Sequence, residues 1–142
     1  MELKTKNVNF KERVERHLEN QNFMHHIKFS LQKIEVGYTE GEMKLEAIHH
    51  QQDGFAHGGL IATIADIVAG FAAYTLVGVN QHVVTGEIKV SYFAKGDGDT
   101  LKAKGKVIKA GKRLNFCEAE VYSIIGDKET LIAKASTSMI TI

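Results

Sequence analysis

His57-Gly-Gly-Leu-Ile-Ala-Thr-Ile-Ala-Asp66-Ile-Val-Ala-Gly-Phe-Ala-Ala-Tyr-Thr-Leu-Val-Gly-Val79 is the stretch on which the fold turns. Between Gly58 and Gln81 its only Asp, Glu, Lys, Arg or His is Asp66. The spacing predicts one long helix over about 58–77, ending near Gly78. That helix is apolar around most of its circumference, so it must be buried nearly all round. A carboxylate in such a helix is unfavourable without a partner, and such groups often do chemistry. The Gly-Gly pair at its start leaves backbone N–H groups accessible where the helix end carries partial positive charge. An oxyanion donor and an acid in one segment point to an enzyme acting on a carbonyl.

The flanking sequence reads as a sheet in want of that helix. Residues 27–39, with Ile34, Val36 and Tyr38, alternate as a strand, Thr39-Glu-Gly41-Glu reads as a turn, and Met43, Leu45 and Ala47 mark a second strand. Four more strands follow the helix: 85–93, 100–110, 114–125 and 130–142, the last with Leu131, Ala133 and Ala135 on one face. Before them, Asn9 stands where a cap would start a helix over 10–21, with Phe10, Val14 and Leu18 as its apolar stripe. The fold class is therefore α+β: a curved antiparallel six-stranded sheet wrapped around one long central helix. Residues 1–24 form a helical segment packed on a domain of residues 25–142. Such a sheet leaves an open edge, and edges are commonly protected by pairing, so a homodimer with a continuous sheet is expected.

Composition narrows the function classes. The 142 residues suit one domain, and a net charge of +1 argues for no nucleic-acid partner. A lone cysteine, Cys117, cannot form an intrachain disulfide, which fits a reducing cytosol. The start of the chain lacks the apolar core of a signal peptide. Residues 60–79 are long enough to span a bilayer, but Asp66 would cost roughly 2.5 kcal/mol or more there, so no membrane span is expected. The His25-His26 and His49-His50 pairs are read as strand neighbours pointing to opposite faces, a poor chelate, and no metal is expected.

The chain resembles the hotdog-fold acyl-CoA thioesterases of the small phenylacetate-degradation type. The carrying residues are Gly54-Phe-Ala-His57-Gly58-Gly59, Ala65-Asp66, Thr85-Gly-Glu-Ile-Lys-Val-Ser-Tyr and Gly111-Lys-Arg-Leu. The resemblance implies that Gly58 donates its N–H to the thioester carbonyl and that Asp66 is nucleophile or general base. It implies that Thr85 positions water. Gln51 stands where the family often has Asn, one methylene longer. His57 reads as an anchor of the helix start, with a catalytic role as the alternative. Gly59 would help bind substrate, and Lys112 and Arg113 read either as solvated surface or as a dock for coenzyme A phosphates. Lys102, Lys104, Lys106 and Lys109 read as a solvated strand face that discourages edge aggregation. No cofactor is implied, since coenzyme A is part of the substrate. A dimer of dimers is the expected assembly.

Helix arithmetic adds an independent constraint. Gly58 and Asp66 lie eight residues apart in the sequence, hence ~12 Å apart along a helix axis and about 80° apart around it. An oxyanion donor and an attacking group must both reach one carbonyl within ~3–3.5 Å. One chain cannot easily supply both, whereas two antiparallel helices across a two-fold axis can. Two other readings share the fold: a catalytically weak acyl-CoA or acyl-carrier binding module, and a dehydratase or hydratase, for which His57 has no acidic mate in its segment.

Overall fold

The computed structural model describes residues 2–142. Helices α1 (Phe10–Glu19) and α2 (Asn22–Ile27) lead into strands β1 (Ser30–Glu35) and β2 (Tyr38–Lys44). A short 3-10 turn at Ala47–His49 precedes the long helix α3 (Gly58–Tyr74). Strands β3 (Val83–Tyr92), β4 (Thr100–Lys109), β5 (Leu114–Ile125) and β6 (Lys128–Thr141) complete one six-stranded antiparallel sheet in the order β1-β2-β4-β5-β6-β3. The sheet packs on α3 with its inward residues, among them Leu101, Ala103, Val121 and Met139, all fully buried.

Close approach fixes the helix on the sheet. A Cβ added at Gly105 in β4 would lie 2.4 Å from the Val68 carbonyl carbon. Only hydrogen fits there, so the helix backbone rests on the strand. Thr39 Oγ1 donates to the Val68 carbonyl at 2.8 Å, and the Gly37 N–H donates to Thr75 Oγ1 at 2.7 Å. The carbonyls beyond the end of α3 are satisfied by the N-terminal segment. Thr5 Oγ1 donates to the Thr75 carbonyl, the Lys6 N–H to that of Leu76, and the buried Arg13 guanidinium to those of Gly78 and Gln81. Val14 packs against Tyr74 and Val77 beneath α1.

Several expectations need correction. The first hairpin turns at Val36-Gly37, where Gly37 has φ +69°, and not at Thr39–Glu42, which lie inside β2. Gly41 is small for another reason: a Cβ there would run into the Phe29 ring. The segment before β1 is the helix α2, held by burial of Met24 and Ile27, and it carries His25-His26. Asn9 stands at the start of α1 but its side chain makes no capping bond. The strand with Lys102, Lys104 and Lys106 is interior, so these lysines do not guard an edge. Lys102 instead faces Glu40, Glu42 and Glu129, and Lys106 faces Glu118. Leu131 leaves the inner face because the β5–β6 register shifts beside it, giving its place to Ile132. Finally, α3 is not buried all round. Ala62, Thr63, Asp66, Ile67, Gly70 and Phe71 recur at helical spacing as a half-exposed stripe that the chain's own sheet does not cover.

Candidate active site

The first four N–H groups of an α-helix have no partner within it. In α3 three of the four are engaged. His57 donates to the His49 carbonyl at 2.9 Å, Leu60 to the His57 carbonyl at 3.0 Å, and Gly59 to His57 Nδ1 at 2.9 Å. The Gly58 N–H has no acceptor among the described residues. It is thus the one helix-mouth donor left for a ligand. His57 holds this mouth: its Nδ1 lone pair is engaged by Gly59, which leaves the ring proton on Nε2. Gly59 serves the same purpose, since a Cβ there would lie 3.0 Å from that Nδ1. On the other side, Tyr92 Oη donates to the Gly58 carbonyl at 2.7 Å.

Asp66 lies on the uncovered stripe of α3. Thr85 Oγ1 donates to its Oδ1 at 2.7 Å, and Oδ2 has no partner among the described residues. The carboxylate is therefore oriented on one side and open on the other. Thr85 reaches it because of a bulge. Val83, Thr85, Ile88, Val90 and Tyr92 all pair with inward residues of β6, and the three-residue step from Thr85 to Ile88 is accommodated by a register shift at Gly86. Strict alternation from Ile88 and Val90 would have turned Thr85 outward. The signal in the sequence is the glycine inside the strand.

Gln51 is not brought to Asp66. Its Oε1 accepts from the Asp53 and Phe55 N–H groups and its Nε2 donates to Asp53, so the carboxamide braces its own loop. His49 is buried with both ring nitrogens engaged, by the Glu46 N–H and the Ile27 carbonyl. Lys112 and Arg113 are exposed in the β4–β5 connection and form no ion pair among the described residues. The Arg113 carbonyl accepts from Thr141, which pairs with Val83. The two cations thus stand at the same end of the sheet as Thr85. Beside Asp66 opens a cavity of about 270 Å³ between α3, the start of β3 and α1. Reasoning from sequence missed the contribution of the N-terminal segment to it, because His17, on α1, and Gln21, in the link between α1 and α2, are distant in the chain from Asp66.

Comparison with known proteins agrees with this arrangement. The thioesterase superfamily model matches residues 53–130, more than half of the chain. The chain belongs to the thioesterase superfamily. Among relatives of this superfamily member, PA0474 of Pseudomonas aeruginosa is 32% identical over 95 residues, covering 66% of this chain and 68% of that protein. The proofreading thioesterase EntH of Klebsiella pneumoniae is 25% identical over 97 residues, covering 68% and 71%. A thioesterase family protein from Silicibacter pomeroyi superposes with a TM-score of 0.92 at 25% identity, over 94% of this chain and 98% of that one. The E. coli PaaI protein of the phenylacetic acid degradation operon superposes at 0.86, covering 97% and 96%, and at 17% identity it speaks for the fold alone. The hotdog architecture stands, and thioester hydrolysis is the reaction class that membership carries. No helix among the described residues is long and apolar enough to cross a membrane.

Proposed function

We propose that this protein is a cytosolic hydrolase of acyl-CoA thioesters with two equivalent sites in a homodimer. Each site joins Gly58 of one subunit to Asp66 and Thr85 of the other. The observation that carries the reading is the accounting on α3. Its one unengaged mouth donor, Gly58, and its one carboxylate, Asp66, lie on the same continuous helix, ~12 Å apart along the axis. Packing two open stripes antiparallel brings each donor opposite the other chain's acid, and pairs β3, an edge strand, with its copy. In this reading Gly58 N–H stabilises the developing oxyanion. Asp66, aligned by Thr85, takes the proton of an attacking water and passes it to the leaving sulfur, or attacks to form an anhydride that water then hydrolyses, freeing Asp66 and a proton; in either case the C–S bond breaks and coenzyme A leaves as the thiol. Lys112 and Arg113 dock its phosphates. No cofactor takes part, and dimers pair into a dimer of dimers. The acyl group is a small aromatic or a medium aliphatic one.

The backbone at Gly58 permits a clean test. Its φ is not positive, it is the first helical residue, and His57 before it is extended at φ −63°, ψ 134°. Proline is tolerated at such a position and removes only the N–H. A Cβ there would meet Tyr92 at an ordinary 3.7 Å. Gly58→Pro and Asp66→Ala are each expected to lower thiol release from acyl-CoA by roughly 10²–10⁴-fold. Refolding the two together yields mixed dimers with one intact site, so activity returns. A mixture as inactive as its parents excludes the shared site. Gln51, whose carboxamide braces its own loop, favours one second reading, acyl-CoA binding without turnover; binding with no thiol release from wild type would establish it.

A further inference from the structure

Gly70 has no structural reason to be a glycine. It lies inside α3, where glycine is the least favourable residue after proline. Its φ is not positive, so no left-handed backbone calls for it. Nor does close packing of the kind seen at Gly105. Beyond the backbone of its own helix, a Cβ on Gly70 would meet only Met139 Cε, at 4.0 Å, an ordinary contact with the flexible end of a side chain. The space that this Cβ would enter is the cavity beside Asp66, which Gly70 lines. In the pairing proposed above, Asp66 stands opposite the first residue of the copy's helix. Gly70, one turn further along α3, therefore stands beyond the end of that helix and not against it.

The cavity runs from Asp66 to an end that Tyr74 and the water-exposed His17 and His82 line. Between the two, its wall is Ile67, Gly70, Phe71, Val83 and Met139. The most polar group among these side chains is a thioether, so the passage suits hydrocarbon and not the amides of the pantetheine arm. Gly70 follows Asp66 by ~6 Å along the helix axis. An acyl chain leaving the thioester in this direction reaches that level within about six to eight carbons. Resting on the thioesterase reading of Asp66, we propose that Gly70 is the specificity-determining residue of the acyl subsite. Its missing side chain keeps the passage open to hydrocarbon chains of medium length, at the expense of helix stability.

The test compares octanoyl-CoA with acetyl-CoA, whose acyl group is too short to reach Gly70. Wild type is expected to favour octanoyl-CoA in kcat/KM. Gly70→Leu should lower the octanoyl-to-acetyl ratio at least tenfold, the scale on which apolar pockets discriminate by size. Gly70→Ala should lower it by less and raise the urea midpoint, because a Cβ in open space adds helix preference without a clash. Both variants should sediment as wild type does. Equal losses on the two thioesters would put the pantetheine arm in the cavity and overturn the proposal. Preference for acetyl-CoA in wild type, a ratio unmoved by Gly70→Leu, a lower urea midpoint for Gly70→Ala, or a shift of either variant to a smaller species also overturns it. Calorimetric binding of the two compounds to Asp66→Ala, with and without Gly70→Leu, separates this claim from the hydrolase reading. An octanoyl preference in binding that Gly70→Leu removes, without thiol release from wild type, retains the proposal and removes that reading. Thiol release without such a preference does the reverse, and no binding of either compound removes both.

Discussion

The two faces of α3 obey different rules. The covered face carries Ile64, Ala65, Val68, Ala69, Ala72 and Ala73, all buried, with β4 pressed so close that residue 105 has room for no side chain. The open face carries Asp66, Ile67, Gly70 and Phe71, half-exposed, with a cavity against it. One side is chosen for fit. On the other, a charged group is retained because it can be reached. The same helix therefore serves as ridge-pole and as reactive surface, and changes on the two sides should separate stability from activity.

The comparison breaks most sharply at Ile67. Ile67→Lys places a cation on the open stripe at the proposed two-fold contact. It should leave the protein folded by circular dichroism, shift it from dimer to monomer in sedimentation, and abolish thiol release, since a monomer holds no complete site. A dimeric, active variant would show that the stripe is not the contact. On the covered face, Gly105→Ala should lower stability by about 1–3 kcal/mol through overpacking against the Val68 backbone, read as a lower urea midpoint. The smallest effect concerns Cys117, on the inner face of β5. Burial pushes its thiol up from 9.0 to about 11. The unfolded chain then releases this proton first, so Cys117 favours the folded state fully below pH 9 and that contribution is lost as pH rises towards 11. Urea midpoints between pH 8 and 10 should fall more steeply for wild type than for Cys117→Ala, and iodoacetamide should not label native protein at pH 8.

How much of this was legible from sequence depends on how local the cause is. Helix α3 and strand β5 declare themselves, one by a long apolar run with a single charged residue and the other by the turns on either side of it, and β5 has the bounds expected, Leu114–Ile125. The first hairpin was misplaced because Gly37 and Gly41 look alike in sequence. One supplies a left-handed turn and the other makes room for Phe29 from outside the hairpin. Helix α2 was missed because six residues have weak intrinsic preference and are held by burying Met24 and Ile27. Asp66 and the Gly58-Gly59 pair could be picked out by chemistry alone, as the one carboxylate and the small residues at a helix mouth, whereas the choice of Gly58 as donor came with the family resemblance. The engagement of Gln51 by its own loop could not, because it depends on backbone directions. Nor could the meeting of His17, Tyr74 and His82, which unites three separated segments.

The Gly86 bulge has a consequence for how β3 can vary. A strand presents its residues in two phases, and Thr85 shares the inner phase with Ile88 and Val90 only because one extra residue stands between them. Substitution at the exposed positions of β3 leaves that parity intact. Losing or gaining a single residue between Thr85 and Ile88 inverts it, swinging either the hydroxyl off the acid or the aliphatic anchors off the core. Arithmetic parity, more than composition, is what this edge has to preserve.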